Sequence, residues 1–213
     1  MKKKIFIIVG LVLVCFALTA FYMENSKNVT AAPQQTDKGK KTYKEINYPT
    51  PNIEEDAVNR VEGVILHHTA EPTVKRSLEV LTSTKKKVGT HVVIDTDGTR
   101  YIMCEPEVVT YHAGRSVLNG EEGCNFFTIG IEFQGNTLEK PLTQDQIVSA
   151  IEYLLPIIKK YHIPVSNIVT HEMVRNAYKE LYPEKKCWGK LDITQKEYKR
   201  FMQALRIAMT SYR

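Results

Sequence analysis

The stretch Val64–Glu71, with the sequence VILHHTAE, is the part of this chain that decides its fold. Three apolar residues, Val64, Ile65 and Leu66, lead directly into His67 and His68, and a small polar turn follows. A run that is apolar on both faces is typical of a strand in the centre of a sheet. Because this strand would end in histidines, it predicts imidazole groups at a sheet edge, where a metal ion can reach them.

A second group of candidate ligands follows much later in the chain. His171 comes directly after the apolar stretch Ile163–Thr170, and Cys187 lies within Lys185–Gly189 (KKCWG). Together with His67, these residues would give zinc two nitrogens and a thiolate and leave one position open, as in catalytic zinc sites. Long-range spacing alone does not establish a metal site, because a lone histidine is usually an ordinary polar residue. The residues by themselves leave both interpretations open.

The length and the charge of the chain limit the number of domains and the kinds of partner that we expect. Its 213 residues favour one domain with appendages. The net charge is +5, but Lys2, Lys3 and Lys4 supply three of these charges. The rest of the chain is nearly balanced, so we expect no nucleic-acid partner.

The N-terminal segment carries a targeting pattern. Residues 1–23 combine three lysines with the uncharged stretch Ile5–Met23, which predicts a signal peptide or an N-terminal membrane anchor. Cys15 leaves a lipoprotein open, with an ordinary apolar cysteine as the alternative. Residues 24–45 are polar and without apolar periodicity, which predicts a flexible linker before a domain at 46–213. We expect export to the cell envelope or periplasm, with membrane attachment through the N-terminus as an option.

Three further cysteines, Cys104, Cys124 and Cys187, make an odd number for an exported chain. A metal thiolate at Cys187 and a disulfide between Cys104 and Cys124 would account for all three. Two buried free thiols are the alternative.

Strand and helix patterns alternate along the domain. The predicted strands are Gly63–His67, Thr90–Asp95, Arg100–Cys104, Thr128–Gln134 and Ile163–Thr170, with a hairpin turn at Asp97-Gly98. The predicted helices are Val74–Lys85, the stretch after Thr143 and the stretch after Thr194. The pattern therefore predicts an α/β fold: a single domain with a central mixed β-sheet flanked by helices.

Local signals refine these elements. Gln146 and Glu197 would complete capping boxes with Thr143 and Thr194, which precede their helices. Pro156 is expected to kink or break its helix. Ile53–Val61 is expected to be a short helix or loop. Val108–Asn125 is long and irregular, which is typical of a functional loop.

The stretch Thr128–Gln134 (TIGIEFQ) alternates cleanly between apolar residues and small or polar ones. Its apolar residues would face the core. Glu132 would lie on the opposite face, and a glutamate on a core strand indicates a special function.

Six segments, taken in order, resemble those of one family: VILHHT (64–69), HVVIDTDGT (91–99), YHAG (111–114), CNFFTIGIEFQG (124–135), THE (170–172) and KKCWG (185–189). Together they resemble the type 2 N-acetylmuramoyl-L-alanine amidases, which share a fold with the peptidoglycan recognition proteins. The likeness is greatest to the bacterial branch that trims muropeptides. It covers most of the chain after the N-terminal segment.

The resemblance implies one zinc ion per chain in a surface groove. Its ligands would be His67, His171 and Cys187, with His68 as a neighbour. The segment around Cys187 departs from the family, because Trp188 stands where a proline is usual and the chain between His171 and Cys187 is longer. Asp192 is therefore the alternative third ligand.

The resemblance also implies catalytic roles. Glu132 matches the acidic residue that activates water, and Lys185 matches a lysine that stabilises an oxyanion. His112 matches a pocket histidine that contacts the substrate, with anchoring of its loop as the alternative. Thr90 stands where some relatives have a tyrosine, so Glu132 would supply the acid–base chemistry.

The function that follows from the resemblance is hydrolysis of the amide between N-acetylmuramic acid and the L-alanine of the stem peptide. The expected partners are peptidoglycan or muropeptides, and the expected state is a monomer. The alternatives are a peptidoglycan-binding module without hydrolysis and a zinc amidase for another N-acyl peptide.

Overall fold

The computed structural model describes residues 41–187 and 192–212 of the chain. Its strands are β1 (Glu45–Asn47), β2 (Ile53–Val58), β3 (Gly63–His68), β4 (Val92–Ile94), β5 (Arg100–Ile102), β6 (Val108–Thr110), β7 (Val117–Leu118), β8 (Glu121–Glu122), β9 (Thr128–Phe133) and β10 (Ile168–Thr170). Its helices are α1 (Val74–Leu81), α2 (Gln144–Tyr161), α3 (His171–Leu181) and α4 (Gln195–Ser211), with 3₁₀ turns at Cys124–Phe126 and Val165–Asn167. The signal peptide or anchor expected at 1–23 lies outside the described residues.

Six strands form one mixed sheet in the order β1-β5-β4-β9-β3-β10. Strands β4, β9, β3 and β10 run parallel to one another, whereas β5 pairs with β4 in the antiparallel sense. The pairs β2–β6 and β7–β8 form two small antiparallel sheets. This architecture confirms the predicted α/β fold with a central mixed sheet, and the antiparallel β4–β5 pair confirms the hairpin at Asp97-Gly98.

The two middle strands, β3 and β9, are buried along their whole length. Because side chains alternate along a strand, Leu66 and Ile131 join the apolar core beneath α2 and α4. On the other face, Ile65 packs with Val174 of α3, and β4 contributes a cluster with α1. His67 and Glu132 therefore lie on the face that α1 and α3 cover, as the alternation of TIGIEFQ predicts for Glu132.

Four local expectations differ from the structure. Val108–Asn125, expected to be irregular, contains the short strands β6, β7 and β8. Ile53–Val58 forms strand β2, not a helix or loop, because it pairs with β6 across an irregular register. Helix α1 ends at Leu81 and not at Lys85, since the hydroxyl and N–H of Thr82 both bond the carbonyl of Leu78. Helix α2 continues through Pro156 without a break, and the proline lies on its exposed side.

The two capping threonines are confirmed, but only one forms the full box. At α2, the Thr143 hydroxyl accepts from the Gln146 N–H, and the Gln146 side chain accepts from the Thr143 N–H. At α4, Thr194 accepts from the Glu197 N–H. The buried Glu197 carboxylate turns instead to the Leu142 N–H at 3.0 Å, so it ties α4 to the segment before α2.

Cys104 and Cys124 are free thiols, so the disulfide considered above is not formed. Burial raises the pKa of Cys104 to about 12 and that of Cys124 to about 11. Both side chains therefore stay protonated and unreactive near neutral pH. Within the described part of the chain, no helix has both the length and the apolar character needed to cross a membrane.

Candidate metal centre

The register of the sheet brings three of the predicted site residues to one edge. Strands β3 and β9 pair so that His67 lies opposite Glu132. Strand β10 pairs with β3 so that Thr170 lies opposite Leu66, and His171 follows Thr170 directly. Since these strands are parallel, their carboxyl ends meet at the edge where α/β proteins usually bind ligands.

The chain returns to this edge with Asp192, just before α4. His67, His171 and Asp192 each place one ligand atom within 4.8 Å of the others, an arrangement that could hold a metal ion. The Asp192 Oδ2 atom lies 3.3 Å from Nδ1 of His67 and 3.0 Å from Nδ1 of His171. Its other oxygen, Oδ1, accepts the backbone N–H groups of His68 and Ile193, each at 2.9 Å. The carboxylate is thus fixed with one oxygen aimed at the two imidazoles.

Asp192 stays ionised in this setting. Burial acts to raise its pKa, but His67 and His171 beside it hold the pKa well below the usual range of an aspartate. The side chain is fully buried, so its charge needs a close positive partner.

The outer nitrogens of both imidazoles are occupied by protein groups. Nε2 of His67 lies 3.3 Å from Nδ1 of His112, and Nε2 of His171 lies 3.2 Å from the Ala113 carbonyl. A carbonyl only accepts, so His171 donates from Nε2, and in its neutral form it has a lone pair on Nδ1. When both rings are neutral, such lone pairs and the Asp192 oxygen repel one another unless a cation lies between them, and a metal ion would supply that positive charge in place of protons on the imidazoles. The set of two nitrogens and one oxygen therefore fits a metal ion, and zinc takes these ligands.

The structure places Cys187 apart from this cluster. Its Sγ atom lies 3.7 Å from the carbonyl of Arg115, and the side chain is half-buried. Among the described residues, Asp192 and not Cys187 accompanies the two histidines. We therefore revise the third candidate ligand from Cys187 to Asp192, the alternative that the sequence offered.

A surface groove of about 390 Å³ opens beside the cluster. The predicted residues His67, His112, Glu132 and His171 all line it. Glu132 is only 8% exposed, so this groove residue is largely shielded from bulk solvent. Residues of α1 and of the segment 86–89 also line the groove.

Lys185 is not among the residues that line this groove. It is exposed, and its ammonium nitrogen lies 3.8 Å from the ring centroid of Tyr182 in a cation–π contact. The lysine that lines the groove is Lys86. Sequence reasoning missed it, because Lys85–Lys87 has the composition of an ordinary solvated turn.

Behind the groove, a buried histidine is locked in its neutral form. His91 accepts the Gly130 N–H at Nδ1 and donates from Nε2 to the Val108 carbonyl, both at 2.9 Å. Burial lowers the pKa of His91 to about 4. The His112 ring packs edge-on against His91, and burial, followed by the neighbouring histidines, holds the pKa of His112 well below its usual value.

The fold and the site together define an α/β protein with a candidate metal centre of two histidines and one aspartate in a surface groove. The chain belongs to the family described as N-acetylmuramoyl-L-alanine amidase, whose model matches residues 57–190. This match confirms the resemblance drawn from the six sequence segments.

Two relatives show the same likeness. The chain is 38% identical over 88 residues to 1,6-anhydro-N-acetylmuramyl-L-alanine amidase AmpD of Haemophilus influenzae, over 40% of this chain and 46% of that protein. It is 30% identical over 131 residues to N-acetylmuramoyl-L-alanine amidase AmiD of Escherichia coli K12, over 54% of this chain and 46% of that protein. The matches thus span about half the length of each relative.

The fold is also similar to a solved structure. A selenomethionine derivative of AmpD has a TM-score of 0.56 and 20% sequence identity, and the likeness covers 75% of this chain and 93% of that one. At this identity the likeness concerns the fold alone.

Proposed function

We propose that this protein is a zinc-dependent peptidoglycan amidase that cuts the amide between N-acetylmuramic acid and the L-alanine of the stem peptide. The observation that carries the proposal is the cluster of His67, His171 and Asp192 beside Glu132 in one groove. Membership of the N-acetylmuramoyl-L-alanine amidase family supports the substrate class.

His67, His171 and Asp192 would hold the zinc ion, one per chain. Bound there, zinc would supply a Lewis acid that polarises the scissile carbonyl and lowers the pKa of water. The protein prepares these ligands in advance, because Asp192 is fixed by two backbone amides and both histidines are held through their outer nitrogens. Such outer contacts orient the ligands and raise metal affinity.

Glu132 is the residue that we assign to proton transfer. It lies in register with His67 and lines the groove, so its carboxylate is available to water and substrate bound there. It would take the proton of the water and return it to the nitrogen of the leaving L-alanine. The oxyanion role of Lys185 stays a prediction from the resemblance, since this lysine lies outside the groove.

The groove suits a segment of a muropeptide. A volume of about 390 Å³ is within the range of sites that enclose small ligands. Its rim carries Glu71 and Lys86, one acidic and one basic group, which matches a stem peptide that bears both amino and carboxylate groups.

The cellular location is part of the proposal. The three lysines and the uncharged stretch Ile5–Met23 support export to the cell envelope or periplasm, either by a cleaved signal or by an anchor. Fractionation of the full-length protein from its host tests this proposal, and a purely cytosolic protein would contradict it.

The test of the activity uses the full-length protein and its Glu132→Gln variant. Peptidoglycan is digested, and the released peptides are identified by mass spectrometry. We expect the wild-type protein to release peptides that begin with L-alanine. The variant should retain zinc but lose cleavage by about 100-fold or more, as for a removed general base. Zinc-free wild-type protein that binds peptidoglycan without cutting it would indicate a binding module instead.

A further inference from the structure

The two candidate histidine ligands come from different elements, yet the Nε2 atoms of both contact the same dipeptide. His67 closes strand β3 and meets the ring of His112 at 3.3 Å. His171 begins helix α3 and meets the carbonyl of Ala113, the next residue, at 3.2 Å. The dipeptide His112-Ala113 therefore contacts both imidazoles from outside the cluster.

The direction of these hydrogen bonds follows from their neighbours. Nε2 of His112 lies 3.2 Å from the Thr128 carbonyl, and a carbonyl accepts, so this nitrogen carries the proton. In the neutral ring, Nδ1 of His112 then has a lone pair and accepts from Nε2–H of His67. A neutral His67 that donates from Nε2 has its own lone pair on Nδ1, the atom that faces Asp192. The ring of His112 thus selects the tautomer of His67 that can bind a metal.

One side-chain oxygen accepts both backbone N–H groups of the dipeptide, and the His112 N–H also lies 3.2 Å from the Thr110 carbonyl. Oδ1 of Asn125 accepts the backbone N–H of His112 at 3.1 Å and that of Ala113 at 2.8 Å. Asn125 lies in the 3₁₀ turn Cys124–Phe126, just before strand β9. Because both partners are N–H donors, only an acceptor is needed at this position, and an aspartate would also provide one.

The position of the His112 ring requires a residue without a side chain at Gly130 of β9. A Cβ atom at Gly130 would lie 2.7 Å from Cγ and 2.8 Å from Nδ1 of His112. These distances are shorter than any ordinary contact, so the ring occupies space that only glycine leaves. The position of the acceptor nitrogen is therefore fixed from the strand as well as from the loop.

We propose that His112-Ala113, held by Asn125, is a positioning clamp that orients both histidine ligands of the zinc site. This inference rests on the proposed zinc site and goes beyond it. In this proposal His112 orients a metal ligand, in place of the substrate contact that the resemblance implied. Asn125 gains a function that the six sequence segments did not indicate.

The test is zinc affinity, measured by competition with a chromogenic chelator on the full-length protein. We expect His112→Ala to weaken zinc binding by about 10- to 100-fold, as for other groups that orient metal ligands. His112→Asn keeps an acceptor near the position of Nδ1 and should recover most of the affinity. Asn125→Ala should weaken binding, whereas Asn125→Asp, which keeps the acceptor, should bind zinc almost as the wild-type protein does.

The controls separate positioning from general damage. Asn119→Ala changes an exposed asparagine whose side chain donates to Asn167 and not to the dipeptide or the candidate ligands, and it should leave zinc affinity unchanged. Thermal unfolding in the presence of EDTA reports whether each variant is folded without metal. A clamp variant should unfold near the wild-type temperature in EDTA and gain less stability from added zinc.

Three outcomes decide the inference. Weak binding in both alanine variants together with recovery in His112→Asn and Asn125→Asp supports the clamp. Wild-type affinity in His112→Ala overturns it, and so does an equal loss in His112→Asn, since ring volume and not the acceptor would then matter. A wild-type protein that binds no zinc at all refutes the proposed function itself, which is a separate result.

Discussion

Acidification is expected to destabilise this fold through His91. Both ring nitrogens of His91 are committed to backbone groups, one accepting the Gly130 N–H and one donating to the Val108 carbonyl. A proton added to Nδ1 would point at the Gly130 N–H and break that bond. The folded protein therefore has a lower affinity for this proton than the unfolded chain has, and burial lowers the pKa of His91 from 6.5 to about 4.

The sign and size of the effect follow from linkage between protonation and folding. The pKa of His91 is lower in the folded state than in the unfolded chain, so the unfolded chain takes up the proton first as the pH falls. Stability is lost between pH values near 6.5 and 4, and it is regained as the pH rises. At ~1.4 kcal/mol for each unit of pKa difference, His91 accounts for a loss of about 2 kcal/mol between pH 8 and pH 5.

Urea unfolding at both pH values measures this loss, with EDTA present so that metal binding does not contribute. His91→Gln is the matched variant, because an amide can both accept and donate but does not titrate. The variant should be less stable than the wild-type protein at pH 8, and this difference should shrink by about 2 kcal/mol at pH 5. Stability curves that stay parallel for the two proteins would refute the assignment to His91.

Three further substitutions test contacts around the site and the core. Gly130→Ala should displace the ring of His112 and cost about 1–3 kcal/mol of stability, and unfolding by urea together with zinc titration measures both effects; unchanged zinc affinity would contradict the close contact. Glu197→Ala leaves the buried Leu142 N–H without its acceptor and should cost about 1–3 kcal/mol, whereas Glu197→Gln keeps an acceptor and should cost less, as urea unfolding would show. Lys86→Ala should raise KM for soluble muropeptides about fivefold, equivalent to ~1 kcal/mol. Replacement of the neighbouring exposed lysine in Lys85→Ala should not raise KM. Equal kinetics in both variants would contradict a contact between Lys86 and the substrate.

The parts of the fold that the sequence predicts well are those with a strong local period. TIGIEFQ alternates, and Glu132 does lie on the opposite face from Ile131, beside His67. Thr143 and Thr194 both cap helices, because a threonine hydroxyl just before an apolar helical stripe can accept a free N–H of the first turn. Strand β2 was missed because its side chains are largely exposed and carry no period, and its partner β6 is distant in the sequence.

The choice between the two candidates for the third ligand could not be made from the sequence, because it depends on where the chain goes after helix α3. Both Cys187 and Asp192 follow His171 within a short distance, and both are residue types that bind zinc. Only the packing of α4 decides between them, since it brings Asp192 under the N–H of His68 and into the cluster. Asn125 was missed for a related reason: its two bonds are to backbone groups, and a sequence carries no record of them.

The most direct measurement is the zinc content of three purified full-length proteins: wild type, Asp192→Ala and Cys187→Ser. Metal would be quantified by mass spectrometry after removal of loosely bound ions, and peptide release from peptidoglycan would be followed in the same samples. We predict about one zinc per chain and cleavage for the wild-type protein and for Cys187→Ser, and neither for Asp192→Ala. Zinc and cleavage that survive in Asp192→Ala but disappear in Cys187→Ser would contradict the His–His–Asp site.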